Sequence, residues 1–435
     1  MPSSKWRISL THPIGLARVL FCVMILAFTG LAVQQSMAAA TVQVGTCLTG
    51  IPHYTTIQSA VNASAPGTTI RVCPGNYPEQ VVINKTLALN GVQSETGRVP
   101  VVTPPASGIV QNATGLGSSS LIGAQILVQN ATGVNIAGLT VDGSGNLLSC
   151  TLDFMGIYYQ NASGIVNYVV TRNQNLGSGS ECQSGEGIFA QSGYGYSGSS
   201  AVVIENSNVY AYQKNGISAD GNTLTVTITS NDVIGQGADA YVAQNGIQIT
   251  GGTRGTILNN SVLNDIYTGA TFSATGILVD SSSGLSLSNN TVGNTQGIVI
   301  FSGGTAGSAD QTSLISNRIL DTDTYDGIDV CSNNNTVVSN TVMGSNQGGI
   351  HLDDSCAEPN GGASGNNNTV TKNSINNVCA GLLLGSGMGN TVSPNSIFNA
   401  DYVNLAGDSC TAAGVTASAS AQLAKRRPRV SPVRP

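Results

Sequence analysis

Gly followed by Ile or Leu, with a further residue of the same strand-like run two positions on, recurs at Gly156, Gly187, Gly216, Gly246, Gly276, Gly297, Gly327, Gly349 and Gly381. The intervals are 31, 29, 30, 30, 21, 30, 22 and 32 residues. An asparagine motif keeps step, at Asn206, Asn231, Asn260, Asn290, Asn317, Asn340, Asn373 and Asn395, each shortly ahead of a Val or Ile. A period in this range dictates a solenoid, because a unit this short buries its apolar face only against its neighbours. Runs such as "LTVTIT", "GTILNNSVL" and "NTVVSNTV" alternate aliphatic with small polar residues, the period-two signature of a strand with one buried face. Each repeat therefore reads as one coil of two or three short strands. Stacked, the coils make parallel sheets, an all-β solenoid of about ten or more coils. The recurrent Asn fits a tight turn, where it tolerates left-handed backbone and its amide bonds local main chain. In register, successive Asn side chains form a ladder.

A strand read as G-I-x-V-x points Ile and Val inward and both x residues outward. The first outward column is then Tyr158, Phe189, Ser218, Gln248, Leu278, Val299, Asp329, His351, Leu383, and the second runs from Gln160 through Gln191, Asp220 and Asp280 to Asp353. Coils stack ~4.8 Å apart, so consecutive members of a column are neighbours in space. Three zones emerge. Tyr158, Tyr159, Gln160 and Phe189 form an aromatic-and-amide surface suited to stacking on sugar rings. Lys214, Asn215, Asp220, Gln244, Asn245 and Gln248 form a polar middle zone. Asp326, Asp329, His351, Asp353 and Asp354 gather towards the C-terminal end, with Glu358 nearby.

The chain ends lie outside the repeats. Lys5, Arg7 and Arg18 precede the apolar run 19–33 and the small-residue stretch "SMAAA", the pattern of a bacterial-type signal peptide over 1–40. The run is short for a membrane span, so a secreted, periplasmic or cell-surface protein with no span after cleavage is expected. The fold should occupy 41–410, with repeats to about 405, and 411–435 should be a disordered basic tail. Between 41 and 410 there are 22 acidic and 8 basic residues, a net charge of −14, which argues against nucleic acid as the partner of the fold. Eight cysteines in an exported chain, with no Cys-x-x-Cys, read as disulfides. Separations of 26, 32, 25 and 31 residues, each about one coil, pair Cys47–Cys73, Cys150–Cys182, Cys331–Cys356 and Cys379–Cys410.

Over residues 50–405 these repeats resemble right-handed parallel β-helices of the pectate-lyase-like superfamily (the pectin lyase fold). The stretch 54–91 is similar to the capped first coil of pectinesterase-like members, with Ile57, Ala60 and Val61 on one face of a short capping helix and Gly75, Tyr77 and Glu79 matching the family's Gly-x-Tyr-x-Glu turn. The resemblance implies the fold and a polysaccharide or glycan surface as partner. The pectinesterase's later Asp-Phe-x-Phe-Gly stretch is absent; "LDFMG" at 152–156 matches in part.

Asp329 should lie beside His351, with Asp353 one coil and two residues away, a Cα separation of ~8 Å. That spacing suits an inverting glycoside hydrolase. The arrangement resembles the aspartates on successive coils of polygalacturonases, but the histidine precedes its Asp pair and no Arg-x-Lys follows. In a catalytic reading Asp329 and Asp353 divide the acid and base roles and His351 orients substrate or shares a proton. The same oxygens of Asp326, Asp329, Asp353 and Asp354 also suit calcium, or merely a solvated face. A lyase needs a cationic base, for which Lys214 is the candidate; Tyr158, Tyr159, Gln160 and Gln248 would contact substrate. Hydrolase, lyase or epimerase chemistry and non-catalytic glycan binding, or a rigid spacer role, remain open alternatives. An accessory protein of a metal-cofactor pathway lacks an evident ligand cluster.

Overall fold

A computed structural model describes residues 40–177, 181–269, 273–303, 308–322, 325–356, 362 and 364–410. Residues 1–39 of the expected signal peptide (1–40), the tail at 411–435 and Glu358 lie outside the described residues. Among the described residues no helix is long and apolar enough to cross a membrane.

The strands stack as the repeat requires. A 13-stranded sheet and a 22-stranded sheet wrap one apolar interior, and successive coils pair in parallel. A typical coil contributes Ser200–Glu205 to the first sheet and Asn208–Tyr210 and Asn215–Asp220 to the second. The register follows the Gly-Ile starts: Ile157, Ile188, Ile217, Ile247, Ile277, Ile298, Ile328, Ile350 and Leu382 are successive partners. All of them are buried. The glycine before each has a steric cause. A Cβ on Gly246 would collide with Val262 Cγ1 and lie 2.7 Å from the Gly276 carbonyl oxygen.

The asparagine ladder forms in one turn column. Asn231, Asn260, Asn290, Asn317, Asn340, Asn373 and Asn395 each accept, through Oδ1, from the backbone N–H of the preceding coil's ladder residue. From Asn260 onward Oδ1 also accepts that residue's Nδ2. Two details differ from the sequence expectation. Asn206 is not a rung; Ser207 holds that place, because Asn208 pairs with Asp232 and so aligns Ser207 with Asn231. From Ser207 to Asn373 the left-handed residue is the one before the rung, such as Ser230, Asn259, Asn289 and Lys372, at φ between 55° and 61°. The rung itself is chosen for its amide, not for its backbone conformation.

The first coil is capped by a helix, Ile57–Ala63, with Ile57, Ala60 and Val61 buried against the core. Thr56 Oγ1 accepts from Ser59 N–H, and Glu79 takes the free Ile57 and Gln58 N–H groups, both at 2.8 Å. A carboxylate there satisfies orphan donors and the positive helix end together. Tyr77 donates its hydroxyl to the Cys73 carbonyl oxygen at 2.7 Å. Four disulfides join Cys47–Cys73, Cys150–Cys182, Cys331–Cys356 and Cys379–Cys410. Each spans one coil, with Cα separations of 5.4–6.0 Å.

The segment after Val101–Thr103 leaves the solenoid pattern. After Val101–Thr103 the chain folds back over the outward face of the first coils, and Ala113–Thr114 pairs antiparallel with the start of Leu121–Gln129. This flap decides what the N-terminal face exposes.

Candidate functional site

The outward columns lie as the repeat register places them, and Tyr158 sits between Leu127 and Phe189. Its ring stacks on Phe189 with centroids 5.1 Å apart. It is nevertheless fully buried, in a second apolar cluster with Ala113, Ile122, Ala124, Leu127 and Met155 under the flap. Gln160 is buried as well, donating to the Thr114 carbonyl oxygen and the Tyr158 hydroxyl. Tyr159 points into the solenoid core, where its hydroxyl donates to the Val134 carbonyl oxygen at 2.8 Å. The expected sugar-stacking surface of Tyr158, Tyr159 and Gln160 is thus corrected: apolar rings in an outward column recruit a cover, and Tyr159 occupies an inward position.

Where the flap ends, an open groove of 430 Å³ runs across the next coils, from Gly115–Ser118 to Thr250. Gln191 ties its wall together. Its amide exchanges two hydrogen bonds with the Leu116 backbone, accepts from the Tyr158 hydroxyl and donates to Asp220. Tyr194 is 51 % exposed in this groove, with its hydroxyl on Asp220 Oδ1 at 2.7 Å. Its ring covers Gly117, where no side chain would fit. Gln248, an expected substrate contact, does line the groove and accepts from Asn245 Nδ2. Asn245 in turn donates to Asn215.

Three carboxyls stand in this groove: Asp220, held by Gln191 and Tyr194, and Asp153 and Glu186. Met155 pairs with Glu186 across adjacent coils, so Asp153 is one coil and two residues from Glu186. Glu186 Oε2 is sealed from solvent without a hydrogen-bond partner. Burial pushes the Glu186 pKa up to about 7; Ser218, Lys214 and Asn215 oppose the shift and the Asp153 charge adds to it. Burial also raises Asp153. Lys214 is largely buried, donates to the Ala243 carbonyl oxygen at 2.7 Å and does not line the groove. Burial lowers its pKa, with Glu186 partly offsetting this.

The C-terminal cluster also assembles. Asp329 is the strand partner of His351. His351 Nδ1 lies 3.1 Å from Asp326 Oδ2 and 4.0 Å from Asp329 Oδ1. Asp326 Oδ1 accepts from Gly348 N–H at 2.6 Å. Burial works against the charged imidazole, but the Asp326 bond and the surrounding carboxylates outweigh it and raise the His351 pKa. Burial, then the charge of Asp326, raises Asp329. Asp353 and Asp408 flank the other side of the ring, and Asp408 Oδ1 is 3.6 Å from Nε2. Asp354 does not join them: it turns to the next coil and accepts from Ser386. The His351 side chain is 4 % exposed and offers no face to a polymer chain.

A model of the right handed beta helix region matches residues 192–397. No curated protein sequence matches the chain. Among solved structures it is similar to PfbA, a surface adhesin of Streptococcus pneumoniae, at 15% identity over 81% of this chain and 88% of that one, with a TM-score of 0.53. It is also similar to a Yersinia enterocolitica family 28 exopolygalacturonase, at 13% identity over 86% of this chain and 79% of that one, with a TM-score of 0.54.

The chain is a right-handed parallel β-helix of the pectin lyase fold. An adhesin and an exopolygalacturonase share this β-helix, so the fold by itself does not choose between binding and catalysis. The choice rests on residues. Sequence reasoning did not single out Glu186, Asp153, Tyr194 or Asp408. Glu186 had a signal: its column reads Met155, Glu186, Asn215, Asn245, Thr275 and Gln296, and it is the one carboxylate.

Proposed function

We propose that this β-helix is exported and processes an extracellular polysaccharide in the groove beside the flap, with Glu186 as general acid. One observation carries the reading: a carboxyl in an open groove, one oxygen sealed and unpaired, with its pKa pushed up to about 7. A general acid works best when its pKa lies near the working pH, and a buried carboxyl at a cleft is where such a group is expected. Asp153 is the partnering base. One coil and two residues give a Cα separation of ~8 Å, leaving room for water as in an inverting hydrolase. Tyr194 offers an exposed ring for a sugar face, and Gln248 and Asn215 supply amides for its hydroxyls. Four disulfides support an oxidising compartment outside the cytosol.

The test is a polysaccharide panel assayed with purified protein for new reducing ends and for unsaturated-uronate absorbance, alongside Glu186→Gln and Tyr194→Ala. The reading expects reducing ends without uronate absorbance, turnover lost in Glu186→Gln with binding kept, and binding weakened in Tyr194→Ala. Unchanged turnover in Glu186→Gln would remove Glu186 from the chemistry. Binding at the groove with no turnover on any polymer would make the protein a glycan-binding β-helix instead.

A further inference from the structure

His351 presents an unusual arrangement of its two ring nitrogens. Nδ1 faces Asp326 Oδ2 at 3.1 Å, and Asp326 is held there by the Gly348 N–H. Nε2 is buried and has no hydrogen-bond partner, although the side chain is only 4% exposed. It is aimed at Asp408 Oδ1, at 3.6 Å. That distance is too long for a hydrogen bond. It does match the edge of a coordination tetrahedron: two ligand atoms each ~2.0–2.2 Å from an ion lie ~3.4 Å apart. One donor atom each from His351, Asp353 and Asp408 lie within 4.8 Å of one another. Asp353 uses Oδ1 on the Ser355 N–H, which leaves Oδ2 for a ligand.

We propose that His351 Nε2, Asp353 and Asp408 bind a divalent transition-metal ion of the zinc type, with Asp326 as the carboxylate that fixes the imidazole tautomer from behind. A carboxylate on the far nitrogen is the usual outer partner of a metal-bound histidine, because it holds the proton on Nδ1 and turns the Nε2 lone pair to the ion. The nitrogen donor favours a transition metal over calcium, which takes oxygen ligands. Three protein ligands leave a position for water.

The place of the ligands gives the ion a purpose. His351 is in the strand Thr341–Leu352, Asp353 follows it inside the Cys331–Cys356 bridge, and Asp408 comes after Ser396–Ala406, the last strand among the described residues, beside the Cys379–Cys410 bridge. An ion here ties the final segment back to an earlier coil. End coils of a solenoid have a neighbour on one side only, so a cross-link there stabilises the part that frays first.

The test uses the full chain, stripped with a chelator, dialysed and then given Zn²⁺, Co²⁺ or Ca²⁺ alone. Expected are one retained Zn²⁺ per chain, a melting temperature raised by several degrees, visible Co²⁺ absorption of a low-coordinate site, and no comparable shift with Ca²⁺. His351→Gln and Asp408→Asn should each abolish retention. If His351→Gln fails to fold, Asp408→Asn decides alone, since that side chain is 53% exposed. No retained Zn²⁺ would mean an imidazolium held only by carboxylates, and would overturn the proposal. So would retention unchanged in Asp408→Asn, or a calcium effect equal to that of zinc.

Discussion

Replacing Glu186 by Gln should make the protein more stable at neutral and alkaline pH, not less. The folded state raises this carboxyl from 4.5 to about 7, first through burial. That displacement is worth about 3 kcal/mol against the ionised form. The sign follows from proton counts. Between about pH 4.5 and 7 the folded chain holds a proton that the unfolded chain has released, so stability falls as pH rises through that window. Below it Glu186 is neutral in both states and the penalty is absent; above it the full penalty applies. Gln keeps the shape and never ionises. The attraction of Lys214 for the ionised carboxylate is already contained in that displacement, so the gain at pH 8 should be about 3 kcal/mol. Urea denaturation of both proteins at pH 4 and pH 8 measures it. The midpoints should nearly coincide at pH 4 and separate at pH 8, with Glu186→Gln the more resistant. Equal separations at the two pH values would show that Glu186 ionises freely, and with that the argument for an acid poised in the groove would fail. A group that lowers stability where a neutral side chain of the same shape would fit is what a functional site looks like.

Other outcomes follow from the stacking. Asn290→Ala removes the acceptor for both Asn260 N–H groups and the donor to Ile257 and Asn317; leaving buried groups unpaired should cost about 2–4 kcal/mol, read from chemical denaturation. Ile277→Asp places a charge where Ile247, Ile277 and Ile298 stack, and proteolysis should then open several coils at once; an unchanged cooperative melt would refute the stacking account. Asp265 is buried and its pKa is raised well above normal by burial, while Tyr212 donates to one oxygen and the other is unpaired. Asp265→Asn should therefore lose less stability than the parent as pH rises from about 4 to 8, measured by thermal melts. Peptide mapping without reduction should return the four one-coil bridges; a Cys73–Cys150 peptide would contradict them.

The parts of this fold legible in the sequence are those set by the repeat. Ile217, Ile247 and Ile277 could be aligned on paper because each Gly-Ile start fixes a register of period two, and a slip of one residue would turn every aliphatic side chain outward. The same reasoning put Asp329 against His351, which the strand pairing reproduces. Disulfides followed because one coil of chain returns to the same side of the solenoid. Asn206 went astray for a local reason: an extra Asn after it, Asn208, shifted the motif by one, and only the pairing of Asn208 with Asp232 reveals Ser207 as the rung.

What could not be read is whatever lies between repeats. The flap of residues 104–120 has no periodicity, yet it turns Tyr158 from an exposed ring into a buried one and makes Gln160 and Gln191 structural ties. The outward column did carry a warning: Leu127, Tyr158 and Phe189 in succession are too apolar to face water. Column composition therefore sorts coils into covered and open ones, and the boundary falls between Phe189 and Ser218, where apolar gives way to polar. Glu186 stands on the open side of the same coil as Phe189, at the lip of the cover. An acid placed there has its pKa raised by burial, in a groove lined by flap residues on one side and uncovered coils on the other. Neither coil nor flap alone would supply both, so the proposed site falls where the flap ends and covered coils give way to open ones.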